Sequence, residues 1–154
     1  MKKEQLKRIF EFLEEKEQQN PPFLWKHISG EPLTERDLNI EGDLNLTYSN
    51  ITSLPKGLKV SGTLDLRRTI LTSLPKGLKV GGDLNLYNTK ITSLPEGLKV
   101  LGGLDLRLSN ITSLPEGLEV GENLYIRHTE LKQYLDDELR DMIKPGFIKG
   151  KIIR

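Results

Sequence analysis

The sequence contains no cysteine, which excludes disulfides, thiolate metal sites and a cysteine nucleophile. It has no long hydrophobic run either, and nothing approaches the roughly 20 apolar residues that cross a bilayer as a helix. Histidine is almost missing. His27 and His128 are the only two, and nothing in the spacing brings them together, so no metal or other cofactor is expected. An excess of charge is also lacking: the net charge is +1 over 154 residues, so the whole molecule has no general pull on nucleic acid or acidic membrane. The basic start MKKEQLKRIF is interrupted by Glu4, Glu11, Glu14 and Glu15, which argues against a signal peptide and for a cytoplasmic protein. What remains, 36% hydrophobic and 29% charged residues, is the composition of a small globular chain.

What the chain does have is repetition. ITSLPKGLKVSGTLDLRRTI is followed by LTSLPKGLKVGGDLNLYNTK and then ITSLPEGLKVLGGLDLRLSN. Full copies start at Ile51, Leu71, Ile91 and Ile111, and a worn copy runs through Leu38, Ile40, Gly42, Leu44 and Leu46. The apolar letters of one copy are Ile51, Leu54, Leu58, Val60, Leu64 and Leu66. These are too few to offset the ordering entropy of a copy folding alone, so copies must stack. Leu84-Asn85-Leu86 alternates with period two, as a strand does. Pro75 and Gly77 break regular structure. The expected architecture is a parallel solenoid with one short strand and one irregular return per turn.

The run from Leu101 through Leu104, Leu106 and Ser109 to Ile111 resembles the leucine-rich repeat pattern LxxLxLxxNxL. The period of 20, with Leu-Pro in the return, is similar to the short bacterial class known from effectors of enteric pathogens and from bacterial and phage proteins. The chain departs from that pattern in two columns. The asparagine position holds Ser49, Thr69, Thr89, Ser109 and Thr129, whose hydroxyls can bond neighbouring backbone. The first leucine position holds Ser61, Gly81, Leu101 and Gly121, where the glycines imply close backbone approach. The resemblance implies an α/β solenoid whose strand leucines point inward and whose flanking residues line a concave face. The ligase activity of some such effectors needs a cysteine and an added domain, and does not carry over.

The expected organisation is an N-terminal helical cap over 1–37, the repeats over 38–134 and a C-terminal helical cap with a basic tail over 135–154, all in one continuous domain. Leu6, Ile9, Phe10 and Leu13 form a helical stripe within residues 2 to 18, stopped at Asn20-Pro21-Pro22. Phe23, Leu24, Trp25 and Ile28 then suit a cover for the Leu44 strand. At the other end, Asp136 is the expected N-cap of a helix over 137–144, ended by Pro145-Gly146. Phe147, Ile148, Ile152 and Ile153 are expected to fold back, with docking of the tail on a partner as the alternative.

The unrepeated letters then become a map of the face. One column is Asn45, Asp65, Asn85, Asp105 and Tyr125; the next is Thr47, Arg67, Tyr87, Arg107 and Arg127; the rim is Tyr48, Arg68, Asn88, Leu108 and His128. The return segment keeps Thr-Ser-Leu-Pro in every full copy, whereas these columns mix Tyr, Arg, Asp and Asn. Tyr and Arg are common interface anchors. The candidate partner-binding set is Tyr48, Asp65, Arg67, Arg68, Tyr87, Asp105, Arg107, Tyr125, Arg127 and His128, with Asp65 and Asp105 pairing the arginines when no partner is bound. An open face suits catalysis poorly, so the expected function is a non-enzymatic, monomeric protein-binding module. Two alternatives remain: nucleic-acid binding through the arginines and tail, which interleaved carboxylates oppose, and self-assembly through Leu108 or a sheet edge.

Overall fold

The computed structural model describes residues 22–154, with side chains from Lys26 onward. The chain divides into two compact units, one ending at Leu38 and one spanning Asn39–Arg154, so the C-terminal segment belongs with the repeats. The expected helix over 2 to 18, its stop at Asn20-Pro21, and the side chains of Phe23, Leu24 and Trp25 lie outside the described residues.

In the first unit a helix spans Pro22–Ser29. Gly30, at φ 73°, closes it: Glu31 N–H reaches Lys26 O at 2.9 Å and Gly30 N–H reaches His27 O at 3.4 Å. This is the Schellman arrangement that a left-handed glycine permits. Thr34 then opens the short helix Glu35–Leu38. Its N–H and hydroxyl donate to one Asp37 carboxylate oxygen, and so does Lys26 Nζ, at 2.8 Å. The Lys26 bond first, then those from Thr34, hold the Asp37 carboxyl down at about 2.

The second unit is a parallel β-solenoid whose turns recur every 20 residues in register. Each turn supplies two strands, not one. The leucine sheet runs through Leu44–Asn45, Leu64–Asp65, Leu84–Asn85, Leu104–Asp105 and Leu124–Tyr125. The valine sheet runs through Asn39–Ile40, Lys59–Val60, Lys79–Val80, Lys99–Val100 and Glu119–Val120. Leu58-Lys59-Val60 has the same apolar-polar-apolar alternation as Leu84-Asn85-Leu86, so the same rule produces the second strand. Between Leu54 and Leu58 the chain turns through Pro55-Lys56-Gly57, with Leu58 N–H on Pro55 O at 3.4 Å and Gly57 at φ 76°. That turn needs positive φ at its third residue, and glycine takes it without strain.

The six apolar letters of each copy form the core: Leu64, Leu84 and Leu104 are fully buried, and Val60, Val80 and Val100 nearly so. Leu101, by contrast, is 67% exposed. The first leucine position of the repeat pattern is therefore a surface column here, and the valine one residue earlier fills the core. A Cβ on Gly81 would lie 2.2 Å from Ser61 O, and one on Gly121 1.9 Å from Leu101 O, so the backbones do approach closely at the glycines.

The C-terminal segment extends both sheets. Phe147–Ile148 pairs with Glu119–Val120, and Ile152–Ile153 with Leu124–Tyr125. Ile148 and Ile152 are buried while Phe147 and Ile153 stay half-exposed. The tail thus folds back onto its own chain. The intervening helix is Asp136–Met142, with Leu135 rather than Asp136 at the N-cap. Glu138 accepts from Leu135 N–H at 2.7 Å, and Asp136 instead pairs with Arg154. Arg140 ends the valine-sheet ladder. Val120 O accepts from Lys149 N–H and Glu122 O from Gly150 N–H. The next two carbonyls in those columns, Ile148 O and Gly150 O, accept from the two ends of the Arg140 guanidinium. One side chain stands in for the amides of a further turn, which otherwise would present an open edge.

Candidate functional site

Each leucine strand is two residues long, and in four of the five the second residue, Asn or Asp, bonds locally to the chain that follows. Asn45, Asp65, Asn85 and Asp105 each accept, through Oδ1, the N–H two residues later, at 3.0, 3.1, 3.0 and 3.0 Å. This local bond competes with continuation of the ladder. The chain then turns through a residue in the left-handed region: Tyr48, Arg68, Asn88, Leu108 and His128 have φ between 54° and 59°. These are the five rim residues. Buried hydroxyls close the turn, with Thr69, Thr89, Ser109 and Thr129 donating to the carbonyl three residues back at 2.9, 2.9, 2.6 and 2.6 Å. Ser49, in the first turn, makes no such bond.

The ladder keeps the flanking columns aligned beyond the strands. Tyr48 N–H donates to Arg67 O at 3.0 Å, Arg68 N–H to Tyr87 O at 3.1 Å, and Leu108 N–H to Arg127 O at 3.2 Å. Neighbouring turns are about 4.8 Å apart, so Arg67, Tyr87, Arg107 and Arg127 stand side by side. None is sealed: Arg67 and Arg127 are exposed, Tyr87 and Arg107 half-buried.

The expected self-pairing occurs within single turns. Arg67 lays Nε and Nη2 on the Asp65 carboxylate, with Nη2 to Oδ2 at 2.6 Å, and Arg107 does the same to Asp105 at 2.6 Å. Both are the two-point geometry that strengthens a guanidinium–carboxylate pair. Burial pushes the Asp65 carboxyl up, but the Arg67 guanidinium and N–H outweigh it and leave the group below its usual range. The Asp65 bond raises the Arg67 guanidinium in turn. Arg107 also lies against two rings, 5.5 Å from the centroids of both Tyr87 and Tyr125, and Arg68 lies 5.3 Å from that of Tyr48. The face is thus braced by cation–π contacts between turns and ion pairs within them. Beside this stack, Tyr87, Arg107, Leu108, Arg127 and His128 line a shallow hollow of about 270 Å³.

Three features escape a column-by-column reading. The first is the left-handed rim, whose only hint in sequence is that Asn88 and His128 are types tolerant of that conformation. The second is an alternation with a period of two turns: Leu-Asn-Leu at 44 and 84, Leu-Asp-Leu-Arg at 64 and 104. It sets clamped arginines between tyrosine turns. The third is a hollow of about 380 Å³ over the valine sheet, between Lys59, Lys79 and Lys99 on one side and Ser61, Gly81 and Leu101 on the other. Among the described residues, no group of three His, Asp or Glu could hold a metal ion, and no helix is long and apolar enough to cross a membrane. Comparison with protein-family models, curated proteins and solved structures gives no match, so the 20-residue solenoid stands on its own register and burial.

Proposed function

We propose that this chain is a non-catalytic protein-binding module, a leucine-rich repeat of the short bacterial and phage class with helical caps. In this reading the leucine-sheet columns form a concave face that grips a partner protein in the cytoplasm, as an adaptor, effector or inhibitor. The observation that carries it is the rim. A left-handed conformation costs a residue with a Cβ roughly 1–2 kcal/mol, less for Asn and His, and glycine would remove that cost. Yet Tyr48, Arg68, Asn88, Leu108 and His128 all hold it with side chains exposed. Side chains kept under strain, displayed outward and different in kind from turn to turn, suit recognition better than scaffolding. The Pro-x-Gly turn on the return is filled by glycine in every full copy, so the repeat does use glycine where no side chain is needed.

The test is affinity capture from the source cell with the wild-type chain beside an Arg67→Ala, Tyr87→Ala, Arg107→Ala variant. The reading expects a protein recovered by the first and lost by the second, while both unfold with equal cooperativity. Identical recovery by the two chains would remove the face from the function.

A further inference from the structure

Arg67 and Arg107 each have an aspartate two residues earlier, and each is clamped by it. Arg127 occupies the same column one turn beyond Arg107, but the residue two before it is Tyr125. Leu124-Tyr125-Ile126-Arg127 departs from both the Leu-Asn-Leu and the Leu-Asp-Leu-Arg versions, keeping the arginine without its aspartate. Among the described residues its side chain has no ion pair or hydrogen bond. It is exposed and faces the hollow that it shares with Tyr87, Arg107, Leu108 and His128. That lining holds two guanidinium groups, an imidazole, a phenol and one aliphatic side chain, and no carboxylate.

We infer that this hollow receives a carboxylate side chain from an acidic segment of the partner protein, which gives Arg127 the pairing that Asp65 and Asp105 give their own arginines. The inference rests on the protein-binding reading above and names the partner's chemistry. Charge complementarity sets the occupant. Arg107 is already neutralised by Asp105 and steadied between two rings, so it forms a fixed wall, and Arg127 is the group with free donors. Leu108, 39% exposed at φ 57°, adds an apolar contact beside the charge, which suits Glu or Asp next to an aliphatic residue. A nucleic-acid backbone fits the same arginine poorly, because it would also run across the carboxylates of Asp65 and Asp105 on the preceding turns. A single carboxylate side chain needs only the one hollow.

The experiment is an NMR titration of the ¹⁵N-labelled full chain with the blocked peptide acetyl-Glu-Leu-Glu-Leu-amide, alongside its Gln-Leu-Gln-Leu counterpart and an eight-nucleotide oligothymidylate. The expected result is saturable shifts centred on Tyr87, Leu108, Arg127 and His128 with the acidic peptide alone. Arg127→Ala should weaken that binding at least about tenfold, the value of a charge-assisted bond, and Arg127→Lys should recover part of it. An unshifted spectrum away from residue 127 shows that the variants are folded. Shifts centred on Lys59, Lys79 and Lys99, equal binding of the Gln peptide or the oligonucleotide, or indifference to Arg127→Ala would each overturn the assignment. Partner capture separates the two levels. A partner lost with the Arg67, Tyr87, Arg107 variant but retained in full by Arg127→Ala keeps the face and overturns this hollow. A partner retained by both overturns both.

Discussion

The leucine and valine sheets are built from the same turns, with the same register and with buried inner rows, Ile40 of the first turn being only partly covered. Their outward rows differ. The valine sheet shows Lys59, Lys79, Lys99 and Glu119, one aliphatic-stemmed charge per turn, with Lys99 and Glu119 paired at 3.0 Å. The leucine sheet shows Asn, Asp and Tyr beside Thr, Arg and Tyr, tied by clamps and ring contacts. A ladder that needs only one buried side chain in two leaves the other free. On the valine sheet the free positions repeat one kind of residue; on the leucine sheet they change in kind from turn to turn.

The largest effect that sharpens this contrast lies between core and face. Leu84→Ala removes a fully buried side chain and should cost about 2–5 kcal/mol in urea denaturation, whereas Lys79→Ala on the valine sheet should stay within about 0.5 kcal/mol. Next comes the glycine column. Gly121→Ala drives a Cβ into Leu101 O and should cost about 1–3 kcal/mol, while Leu101→Ala in the same column should be nearly neutral. Smaller again is a change of sign at neighbouring residues. His128→Gly relieves a left-handed backbone and should be stabilising by up to about 1 kcal/mol, whereas Arg127→Gly should destabilise by about 0.5–1 kcal/mol. Equal effects at the two positions would break the argument that the rim is strained for its side chains.

The smallest effect is acid dependence. The Asp65 carboxyl is lowered in the folded chain. Its contribution is therefore complete above the usual carboxylate range and disappears as pH falls through the lowered value. As a partly exposed pair it should amount to under about 1 kcal/mol. Asp65→Asn should lower stability near neutral pH and flatten the acid limb, measured as urea midpoints between about pH 2 and 6.

The core was legible in the sequence because burial follows period: the apolar letters Ile51, Leu54, Leu58, Val60, Leu64 and Leu66 are the buried ones. The columns of the face followed from the same count, and so did the pairing of Asp65 and Asp105 with arginines. The second strand was equally written in Leu58-Lys59-Val60, but the neighbouring proline and glycine suggested an irregular return. The Leu101 column was already set apart from the apolar letters, and its exposure follows because Val100 fills the core one residue earlier. The left-handed rim could not be read, since Tyr48, Arg68 and Leu108 are not residues that announce positive φ. Arg140 could not be read either, because it bonds backbone carbonyls eight and ten residues away that have no sequence mark.

Removing residues 71–90 tests the separation of frame and face most directly. That deletion takes out one whole turn and joins Ile70 to Ile91 in phase, so both sheets lose a strand and Arg107 moves next to Arg67. The account predicts a shortened chain that still unfolds cooperatively, with a reduced urea dependence, and that no longer captures the partner held by the wild-type face. A chain left unfolded by the loss of one turn, or one that holds the partner undiminished without Tyr87, would contradict it.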